Sequence, residues 1–389
     1  MMKKMCAAIL AIVLAVSSWA LSPFVSSAEE YPFDLDAKSA ILMDATTGTV
    51  LYEKNADLAL PPASVTKVMT LLLIMEAIDE GRISLDDMVT VSAEAAAMGG
   101  SQVYLEEGES LRLEDLLKCV VIASANDAAY ALAEHLAGSE EAFVRRMNER
   151  AAELSMENTV FENTNGLDDT VTKHLTSARD IAIMSRELLR HEKILEYTTI
   201  WQDTIRDGSF TLTNTNRLVR FYPGATGLKT GSTGKAGFCI SATAERDGMH
   251  LIAVVMGAST RDIRNAEAKK LLDYGFSSYA LYAADAPTVE PIALKGGVED
   301  ALPLSIRNFS TVVKKGEEKR IEVRYNLPKS LSAPVTAGDV IGEAEYLVGD
   351  RVIGIADIVA AKTVERVSYF DLLWRLLRAT VGADGLLAP

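Results

Sequence analysis

Residues 61–75 read PPASVTKVMTLLLIM, an apolar run that follows two prolines and contains a serine and a lysine three positions apart. Proline is common at helix starts, so we predict that a helix begins close to Ser64 and continues through the apolar run. Side chains three residues apart lie on the same face of a helix. The Ser64 hydroxyl and the Lys67 amine are therefore expected to be neighbours.

Lys67 is not the residue that helix stability alone would select. If Ser64 were only a helix N-cap, a capping box would place Glu or Gln three residues later, whereas Lys67 puts a cation near the positive end of the helix dipole. A partly buried lysine loses affinity for its proton, and the neutral amine can deprotonate a serine that attacks a carbonyl. We therefore interpret Ser64 as a candidate nucleophile and Lys67 as its candidate base.

A second polar cluster, Ser124-Ala125-Asn126, interrupts a helical region and is expected to form a short loop. The Ser124 hydroxyl can relay a proton, and the Asn126 amide can hold a substrate backbone carbonyl. Taken alone, the cluster also fits a turn that caps the next helix at Asn126 or Asp127.

A third cluster, Lys229-Thr230-Gly231, precedes two predicted strands, residues 238–244 and 250–256, which flank an Arg-Asp-Gly turn. We expect this cluster at a sheet edge that a ligand approaches. Lys229 and Thr230 can bind a carboxylate, and Gly231 leaves room for a ligand backbone.

Together, in this order, the three clusters resemble those of the active-site serine penicillin-recognising enzymes. The chain is most similar to low-molecular-mass penicillin-binding proteins that are serine-type D-alanyl-D-alanine carboxypeptidases, in the Bacillus-type branch that includes sporulation enzymes. Further family-like stretches are residues 98–101, 165–167 and 271–276. The resemblance implies peptidoglycan stem peptides ending in D-Ala-D-Ala as substrates, β-lactam antibiotics as inhibitors and no cofactor.

The resemblance also implies a role for each candidate residue. Ser64 attacks the carbonyl of the penultimate D-Ala, and the backbone N–H groups of Ser64 and Ser232 form the oxyanion hole. Arg264 lies where relatives carry an arginine near the substrate carboxylate, although a solvent-facing helix start would also tolerate arginine. The predicted catalytic residues are Ser64, Lys67 and Ser124, and the predicted substrate-binding residues are Asn126, Lys229, Thr230, Gly231, Ser232 and Arg264.

Rival functions are weaker. A class A β-lactamase activates its deacylating water with an E-x-x-L-N segment, whereas this chain has ENTNGL at residues 162–167. A transpeptidase or endopeptidase of the same superfamily stays open, because these motifs do not specify the acyl acceptor. An inactive wall-binding scaffold is disfavoured by the retention of every catalytic side chain.

Other catalytic centres have little support in the sequence. The chain has no G-x-S-x-G elbow, although chain order alone does not exclude a Ser-His-Asp triad. The four histidines are scattered, and His174 begins a stretch, residues 174–180, that we interpret as structural. No histidine pair has H-x-x-x-H spacing and the cysteines form no C-x-x-C, so no metal site is predicted.

The chain ends indicate export. Residues 1–28 have two lysines, an apolar stretch and small residues before Glu29, which is typical of a secretory signal peptide. The formal net charge of −15 excludes a nucleic-acid binder. We therefore place the protein on the outer face of the cytoplasmic membrane or in the cell wall. Cys119 and Cys239, the cysteines left after processing, are interpreted as buried free thiols.

The C-terminal residues 368–381 have polar side chains every three or four positions and an apolar opposite face that contains Trp374. The segment is shorter than the roughly 20 apolar residues that span a bilayer. We predict an amphipathic helix that attaches the protein to the membrane surface. The alternative is a helix packed against its own domain.

The fold class is predicted as α+β. Before a break at residues 283–287, the early and late strands are expected to pair around a helical insert, and the resemblance implies a β-lactamase/transpeptidase-like antiparallel sheet with helices and a helical subdomain. Short strand-like runs after the break indicate a small all-β domain. The predicted divisions are a signal peptide (1–28), a catalytic domain (29–284), a β domain (285–366) and an amphipathic tail (367–389).

Overall fold

The computed structural model describes residues 31–169, 171–284 and 289–374, so the predicted signal peptide lies outside the described residues. The chain divides into a short N-terminal unit that ends at Leu35 and a second unit that begins at Asp36. All of the helices and strands given below belong to the second unit.

The strands, in chain order, are β1 (Ser39–Asp44), β2 (Val50–Lys54), β3 (Met88–Thr90), β4 (Ser110–Arg112), β5 (Gln202–Ile205), β6 (Phe210–Thr213), β7 (Ala225–Thr233), β8 (Gly237–Arg246), β9 (Met249–Ala258), β10 (Tyr279–Ala283), β11 (Ile292–Lys295), β12 (Ala301–Leu302), β13 (Leu304–Ile306), β14 (Ser310–Lys314), β15 (Ile321–Asn326), β16 (Ser330–Ser332), β17 (Val340–Val348) and β18 (Arg351–Ala360). The α-helices span Lys67–Asp79, Ala93–Ala96, Leu113–Lys118, Asn126–Ala137, Glu140–Glu153, Ala178–Leu189, Ile194–Thr198, Leu218–Phe221 and Arg261–Ser278. Short 3₁₀ turns lie at Ala63–Thr66 and Glu318–Arg320, and a π-helical turn lies at Cys119–Ala123.

The central sheet has the strand order β2-β1-β9-β8-β7, with neighbouring strands antiparallel. Strand β1 pairs with β9, more than 200 residues later, and the long helical region is inserted between them. The prediction that early and late strands pair around a helical insert is therefore confirmed. The predicted hairpin is also confirmed, and Asp247 and Gly248 connect β8 to β9 with positive φ angles, as two-residue hairpins favour.

Helices cover both faces of this sheet. Neighbouring residues of a strand point to opposite faces, so one strand packs against helices on both sides. Ile41 and Met43 of β1 join the large apolar cluster that includes the helices Lys67–Asp79 and Ala178–Leu189. Between them, Leu42 faces the other way and lies beside Gly275 of the helix Arg261–Ser278. The sheet is thus the middle layer of a helix-sheet-helix arrangement, and β7 is its edge strand.

The helix Lys67–Asp79 is buried almost all round, so it runs through the core and not along the surface. This follows from its sequence, in which Glu76 and Asp79, near the C-terminal end, are the only charged residues after the initial lysine. Its first residue, Lys67, contacts Asn126 at the start of the helix Asn126–Ala137. The polar residues at these helix ends therefore meet inside the protein.

The C-terminal region is all-β. Strands β13, β18, β17 and β15 form one sheet and β12, β11 and β16 another. Tyr346 of β17 is fully buried and stacks on Phe309, with ring centroids 4.0 Å apart. Strand β10 pairs with β14, so a strand that precedes the predicted break joins the C-terminal region, while residues 285–288 of the break itself lie outside the described residues.

Residues 369–374 are helical, which agrees with the beginning of the predicted tail helix, and residues 375–389 lie outside the described residues. Within the described ranges, no helix is both long enough and apolar enough to cross a bilayer. Cys119 and Cys239 are both buried and free, as predicted.

Candidate active site

Ser64 and Lys67 are neighbours at the start of the buried helix. Lys67 is completely buried, and its Nζ lies 3.1 Å from Ser64 Oγ, 2.6 Å from Asn126 Oδ1 and 2.8 Å from the Asn165 carbonyl oxygen. The interpretation of Ser64 as an N-cap is wrong, because Ser64 lies within a 3₁₀ turn whose N-cap is Pro62 and the following helix has no side-chain cap.

The surroundings of Lys67 favour a neutral amine. Burial, reinforced by the charge of Lys229, lowers the pKa of Lys67 well below its ordinary value, and the carboxylate of Asp127 opposes this only in part. A neutral amine has two hydrogens and one lone pair. The two carbonyl oxygens, of Asn126 and Asn165, can only accept, so they take the two hydrogens. The lone pair is then directed at Ser64, whose hydroxyl can donate.

Ser124 lies at a bend between helices. The π-helical turn Cys119–Ala123 ends at Ser124, which adopts the left-handed conformation with φ of 64°. A non-glycine residue in this region is uncommon and carries backbone strain. The bend directs the Ser124 hydroxyl to Lys229 Nζ, from which it accepts a hydrogen bond of 2.7 Å. Ser124 thus pairs with Lys229, the lysine of the third cluster.

Asn126 begins the helix Asn126–Ala137 and is almost completely buried. Its Nδ2 donates to the Gly99 carbonyl oxygen at 2.7 Å, which turns Oδ1 towards Lys67. The N-cap of this helix is Ala125, without a side-chain hydrogen bond, so the capping alternative for the second cluster is wrong.

The third cluster occupies edge strand β7, as predicted. Lys229 is 1% exposed, and burial, with a smaller contribution from the charge of Arg264, lowers its pKa to about 7. Thr230 Oγ1 donates to Thr215 Oγ1 at 2.8 Å. Lys229 therefore contacts the Ser124 hydroxyl, and its neighbour Thr230 contacts the Thr215 hydroxyl.

Gly231 allows β7 to approach the Ser64 turn. A Cβ atom at this position would lie 2.7 Å from Ser64 N, 2.9 Å from Val65 N and 2.9 Å from the Pro62 carbonyl oxygen, all of them backbone atoms. Side chains cannot be accommodated at such distances. The next residue, Ser232, is exposed beside the cleft, so the backbone of Ser232 and that of Ser64 lie on either side of this close approach.

These residues surround one cleft of about 170 Å³. It is lined by Ser64, Ser101, Ser124, Thr215, Thr230, Gly231, Ser232, Arg261 and Arg264. Beneath this lining lie Lys67, Asn126 and Lys229, which contact the lining residues through the hydrogen bonds given above. The structure therefore brings all of the predicted site residues together.

Arg264 is only 3% exposed, so the interpretation of this residue as a solvent-facing arginine at a helix start is wrong. Its Nε and Nη2 donate to Asn265 Oδ1 at 3.1 and 2.9 Å, and burial lowers its pKa to about 10. Arg261 also lines the cleft, so the two arginines give one wall a positive charge, and Lys229 lies beneath this lining.

Four residues of the site were not predicted: Ser101, Asn165, Thr215 and Arg261. Ser101 and Asn165 belong to stretches noted only as family-like. Asn165 acts through its backbone carbonyl, which no side-chain pattern reveals. Thr215 reaches the cleft from a loop distant in sequence from the three clusters, and the sequence carries no local signal for it. Arg261 lies three residues before the predicted Arg264 in the helix Arg261–Ser278, and this spacing could have indicated it.

The histidines of the described residues form no second catalytic centre. His174 contacts Thr66 and not Ser64, His135 and His191 pair with surface aspartates, and His250 contacts Thr226. A triad on Ser64 is therefore absent from the described part of the chain. The same ranges contain no group of three or more His, Cys, Asp or Glu residues that could hold a metal ion.

Comparison with known proteins agrees with this geometry. Residues 25–260 match the family Peptidase S11, D-alanyl-D-alanine carboxypeptidase, and residues 276–366 match the C-terminal domain of penicillin-binding protein 5. The chain is 42% identical over 350 residues to D-alanyl-D-alanine carboxypeptidase DacF of Bacillus subtilis, a match that covers 88% of this chain and 89% of that protein.

Solved structures show the same likeness. Penicillin binding protein 5 from Haemophilus influenzae matches with a TM-score of 0.79 and 30% identity over 87% of this chain and 100% of its own. Penicillin-Binding Protein D2 from Listeria monocytogenes, in an ampicillin-bound form, matches with a TM-score of 0.58 and 33% identity over 63% of this chain and 100% of its own. The chain therefore belongs to the Peptidase S11 family and is a serine-type D-alanyl-D-alanine carboxypeptidase.

Proposed function

We propose that Ser64 is the nucleophile and Lys67 its general base in removal of the terminal D-alanine from peptidoglycan stem pentapeptides. The observation that carries this proposal is the environment of Lys67 Nζ, which has two carbonyl acceptors and the Ser64 hydroxyl at its third position. The lowered pKa of this buried amine favours its neutral form, which can accept the serine proton as the hydroxyl attacks a carbonyl.

In the first half of the cycle, Ser64 Oγ bonds to the carbonyl carbon of the penultimate D-Ala and its proton passes to Lys67. The oxyanion is stabilised by the backbone N–H groups of Ser64 and Ser232, which flank the Gly231 contact. Collapse of this intermediate breaks the peptide bond. Ser124 gives its proton to the leaving nitrogen and receives the proton held by Lys67, which leaves Lys67 neutral for the second half of the cycle. Because Ser124 accepts from Lys229, its own hydrogen is the one that it can donate.

The cationic wall explains why the enzyme acts at a chain end. Lys229, Thr230 and Arg264 lie where the free carboxylate of the terminal D-Ala would bind, and an internal peptide bond has no such charge. Asn126 would hold a substrate backbone carbonyl through its amide. In the second half of the cycle, water attacks the Ser64 ester, Lys67 takes the water proton, and the serine is regenerated.

β-Lactams carry a carboxylate and a reactive carbonyl, so we expect them to bind the same wall and acylate Ser64. Rapid hydrolysis of the β-lactam is not expected. Glu162, at the start of the segment where a class A enzyme would place its deacylating glutamate, accepts N–H groups of Thr172 and Lys173 with Oε2 and does not line the cleft.

Transfer of the acyl group to another stem peptide, or cleavage of cross-links, remains the second candidate activity. The cleft is partly open, and no described residue selects water over an amine as the acyl acceptor. Product analysis with a pentapeptide and an added amine acceptor separates hydrolysis from transfer.

A direct test of the site compares the wild type with Ser64→Ala, using labelled penicillin and a D-Ala-D-Ala pentapeptide. The wild type should be acylated once per chain and release D-Ala, and the variant should do neither. Acylation of Ser64→Ala, or a wild type that is not labelled, would show that the proposed nucleophile is wrong. Rapid turnover of the penicillin would favour a β-lactamase.

We also propose that the chain is exported by residues 1–28 and held at the outer membrane surface by its tail. Tyr369 and Phe370 are 77% and 78% exposed, and Trp374 is 56% exposed, in a helix that begins after the β domain. Large apolar side chains in this position suit the membrane interface. Within this scheme we place the catalytic domain at 29–284 and the β domain at 285–366, with β10 as the strand that joins them, and a role in sporulation stays a prediction.

Removal of residues 369–389 should release the protein from sedimenting anionic lipid vesicles without changing D-Ala release from a soluble pentapeptide. A matched variant, Phe370→Ser with Trp374→Ser, should weaken vesicle binding while keeping the chain length. Equal sedimentation of all three proteins would contradict attachment through the tail.

A further inference from the structure

His174 lies directly behind the Ser64 turn and has no role in the reaction described above. It is 5% exposed and packs edge-on against Phe161, with ring centroids 5.7 Å apart. Its Nδ1 lies 3.0 Å from Glu162 N, and its Nε2 lies 2.8 Å from Thr66 Oγ1. Both ring nitrogens therefore have partners inside the protein.

The partners of His174 determine its tautomer. A backbone N–H can only donate, so Nδ1 must carry the lone pair that accepts from Glu162. In neutral imidazole the hydrogen is then on Nε2, which donates to Thr66 Oγ1. Thr66 in turn donates its hydroxyl hydrogen to the Ala63 carbonyl oxygen at 2.8 Å. The result is a directed chain of hydrogen bonds from Glu162 N–H to the Ala63 carbonyl.

The chain of hydrogen bonds ends at a strained residue next to the nucleophile. Ala63 has a φ of 49°, in the left-handed region that residues with a Cβ avoid. Its carbonyl group is also packed closely against Gly166, where a Cβ atom would lie 1.8 Å from the Ala63 oxygen. Such conformations persist only when their surroundings hold them. The Ala63 peptide is therefore held by Thr66 on one side and by Gly166 on the other.

Through Nδ1, His174 also contacts Glu162, which precedes the loop whose Asn165 carbonyl binds Lys67. Glu162 leads into the loop 163–167, in which Asn163 Oδ1 accepts from Gly166 N at 2.7 Å and the Thr164 carbonyl accepts from Thr70. The carbonyl of Asn165 in this loop is one of the two acceptors of Lys67. One imidazole ring thus connects the turn that carries Ser64 to the loop that binds Lys67.

We propose that His174 is a positioning residue for the acylation step. Acting through Thr66 on the Ala63 peptide and through Glu162 on the Asn165 loop, it keeps Ser64 Oγ and Lys67 Nζ at proton-transfer distance. His174 touches neither the substrate nor the reacting atoms. This inference rests on the proposed roles of Ser64 and Lys67.

The first test replaces the middle of the hydrogen-bond chain. Thr66→Val keeps the shape of the side chain and removes the hydroxyl, whereas Thr66→Ser keeps the hydroxyl. Since a misplacement of about 1 Å can cost on the order of 100-fold in rate, we expect Thr66→Val to slow penicillin acylation about 10- to 100-fold. The KM for pentapeptide should change less than about threefold, because the cationic wall that would bind the substrate carboxylate is untouched. Thr66→Ser should recover most of the acylation rate.

A second test measures the ring itself and does not depend on the Thr66 variants folding. In ¹⁵N-labelled wild-type protein at neutral pH, His174 should show an unprotonated Nδ1 and a protonated Nε2, assigned by loss of the signals in His174→Gln. The variant His191→Gln, whose ring contacts Asp79 and not the Ser64 turn, is the control and should acylate at the wild-type rate. A protonated Nδ1 would overturn the inference, as would a Thr66→Val variant that acylates within about twofold of the wild type or a Thr66→Ser variant no faster than Thr66→Val.

The two proposals fail differently. If Ser64→Ala is still acylated by penicillin, the nucleophile itself is wrong whatever the Thr66 variants do. If Ser64→Ala is inert and Thr66→Val retains the wild-type acylation rate, only the positioning role of His174 is overturned.

Discussion

Gly231 of the edge strand lies so close to the Ser64 amide that a single methyl group would fall 2.7 Å from that nitrogen. This contact sets the distance between the strand that would bind the substrate and the turn that carries the nucleophile. The obstructing atoms are backbone atoms of the 3₁₀ turn, so they cannot move aside as a flexible side chain would.

Gly231→Ala should therefore force β7 away from the Ser64 turn. We expect penicillin acylation to fall by at least about tenfold, because the oxyanion donors on the two segments separate. Gly234→Ala, three residues later, is the matched control, since a Cβ at Gly234 has nothing within 4 Å. Stopped-flow acylation rates for both variants, beside their melting temperatures, test the prediction. Equal rates in the two variants would contradict it.

The two lysines should produce opposite limbs in the pH profile of acylation. Lys67 must lose its proton to act as a base, so the rate rises as pH rises through its lowered pKa. Lys229 must keep its proton to attract the carboxylate, so kcat/KM should fall as pH rises through about 7. A bound carboxylate favours the charged amine, and the limb in kcat should lie at higher pH than the limb in kcat/KM.

Lys229→Arg checks the assignment of the alkaline limb. Arginine stays protonated over the accessible range, so this variant should lose the fall above neutral pH even if its overall rate is lower. A limb that persists unchanged near pH 7 would show that another group titrates there. Lys67→Arg, by contrast, should abolish acylation at every pH, because a guanidinium cannot serve as the base.

Much of the site could be predicted from the sequence because its side chains lie in short local clusters. Ser64 and Lys67 are brought together by one helical turn, and Lys229 to Ser232 by one strand. Part of the fold could be predicted for a similar reason. Strands β8 and β9 are joined by a two-residue turn, and successive side chains of β1 pack against opposite faces of the sheet.

What the sequence did not predict depends on contacts between distant segments. Asn165 belongs to the site because its backbone carbonyl accepts from Lys67. Thr215 belongs to it because its hydroxyl accepts from the hydroxyl of Thr230. The pairing of β10 with β14 places a strand from before the expected break in the C-terminal region. Such pairings have no local signature, because they are decided by which surfaces the tertiary fold brings into contact.

Stability should fall in mild acid because of His174. Burial lowers the pKa of His174 to about 4, and the charges of Glu162 and Asp168 oppose the shift only in part. An unfolded histidine titrates near ~6.5, so the unfolded state binds the proton first and stability is lost between about pH 6.5 and 4. A shift of this size corresponds to about 3 kcal/mol over that interval.

Urea unfolding at pH 7.5 and 4.5 measures this contribution. His174→Gln does not titrate, so its free energy of unfolding should change less between the two pH values than that of the wild type, by about 2 kcal/mol or more. His191→Gln, which alters an exposed contact with Asp79, should keep the wild-type dependence. The same pH dependence in His174→Gln and the wild type would mean that other groups cause the acid sensitivity.

Gly166→Ala should be among the most damaging single methyl additions in the chain. The new Cβ would lie 1.8 Å from the Ala63 carbonyl oxygen and 2.7 Å from Thr66 Oγ1, and Gly166 has a φ of +85°. Both the clash and the backbone strain act on the peptide that precedes Ser64.

Gly138→Ala separates the two causes, because Gly138 has nearly the same φ of +83° and a Cβ there has nothing within 4 Å. Strain alone costs about 1 kcal/mol, so Gly138→Ala should lower the free energy of unfolding by roughly that amount and leave acylation unchanged. Gly166→Ala should cost several times more and slow acylation even where it remains folded, and a variant indistinguishable from Gly138→Ala in both measurements would show that the Ala63 peptide is free to move.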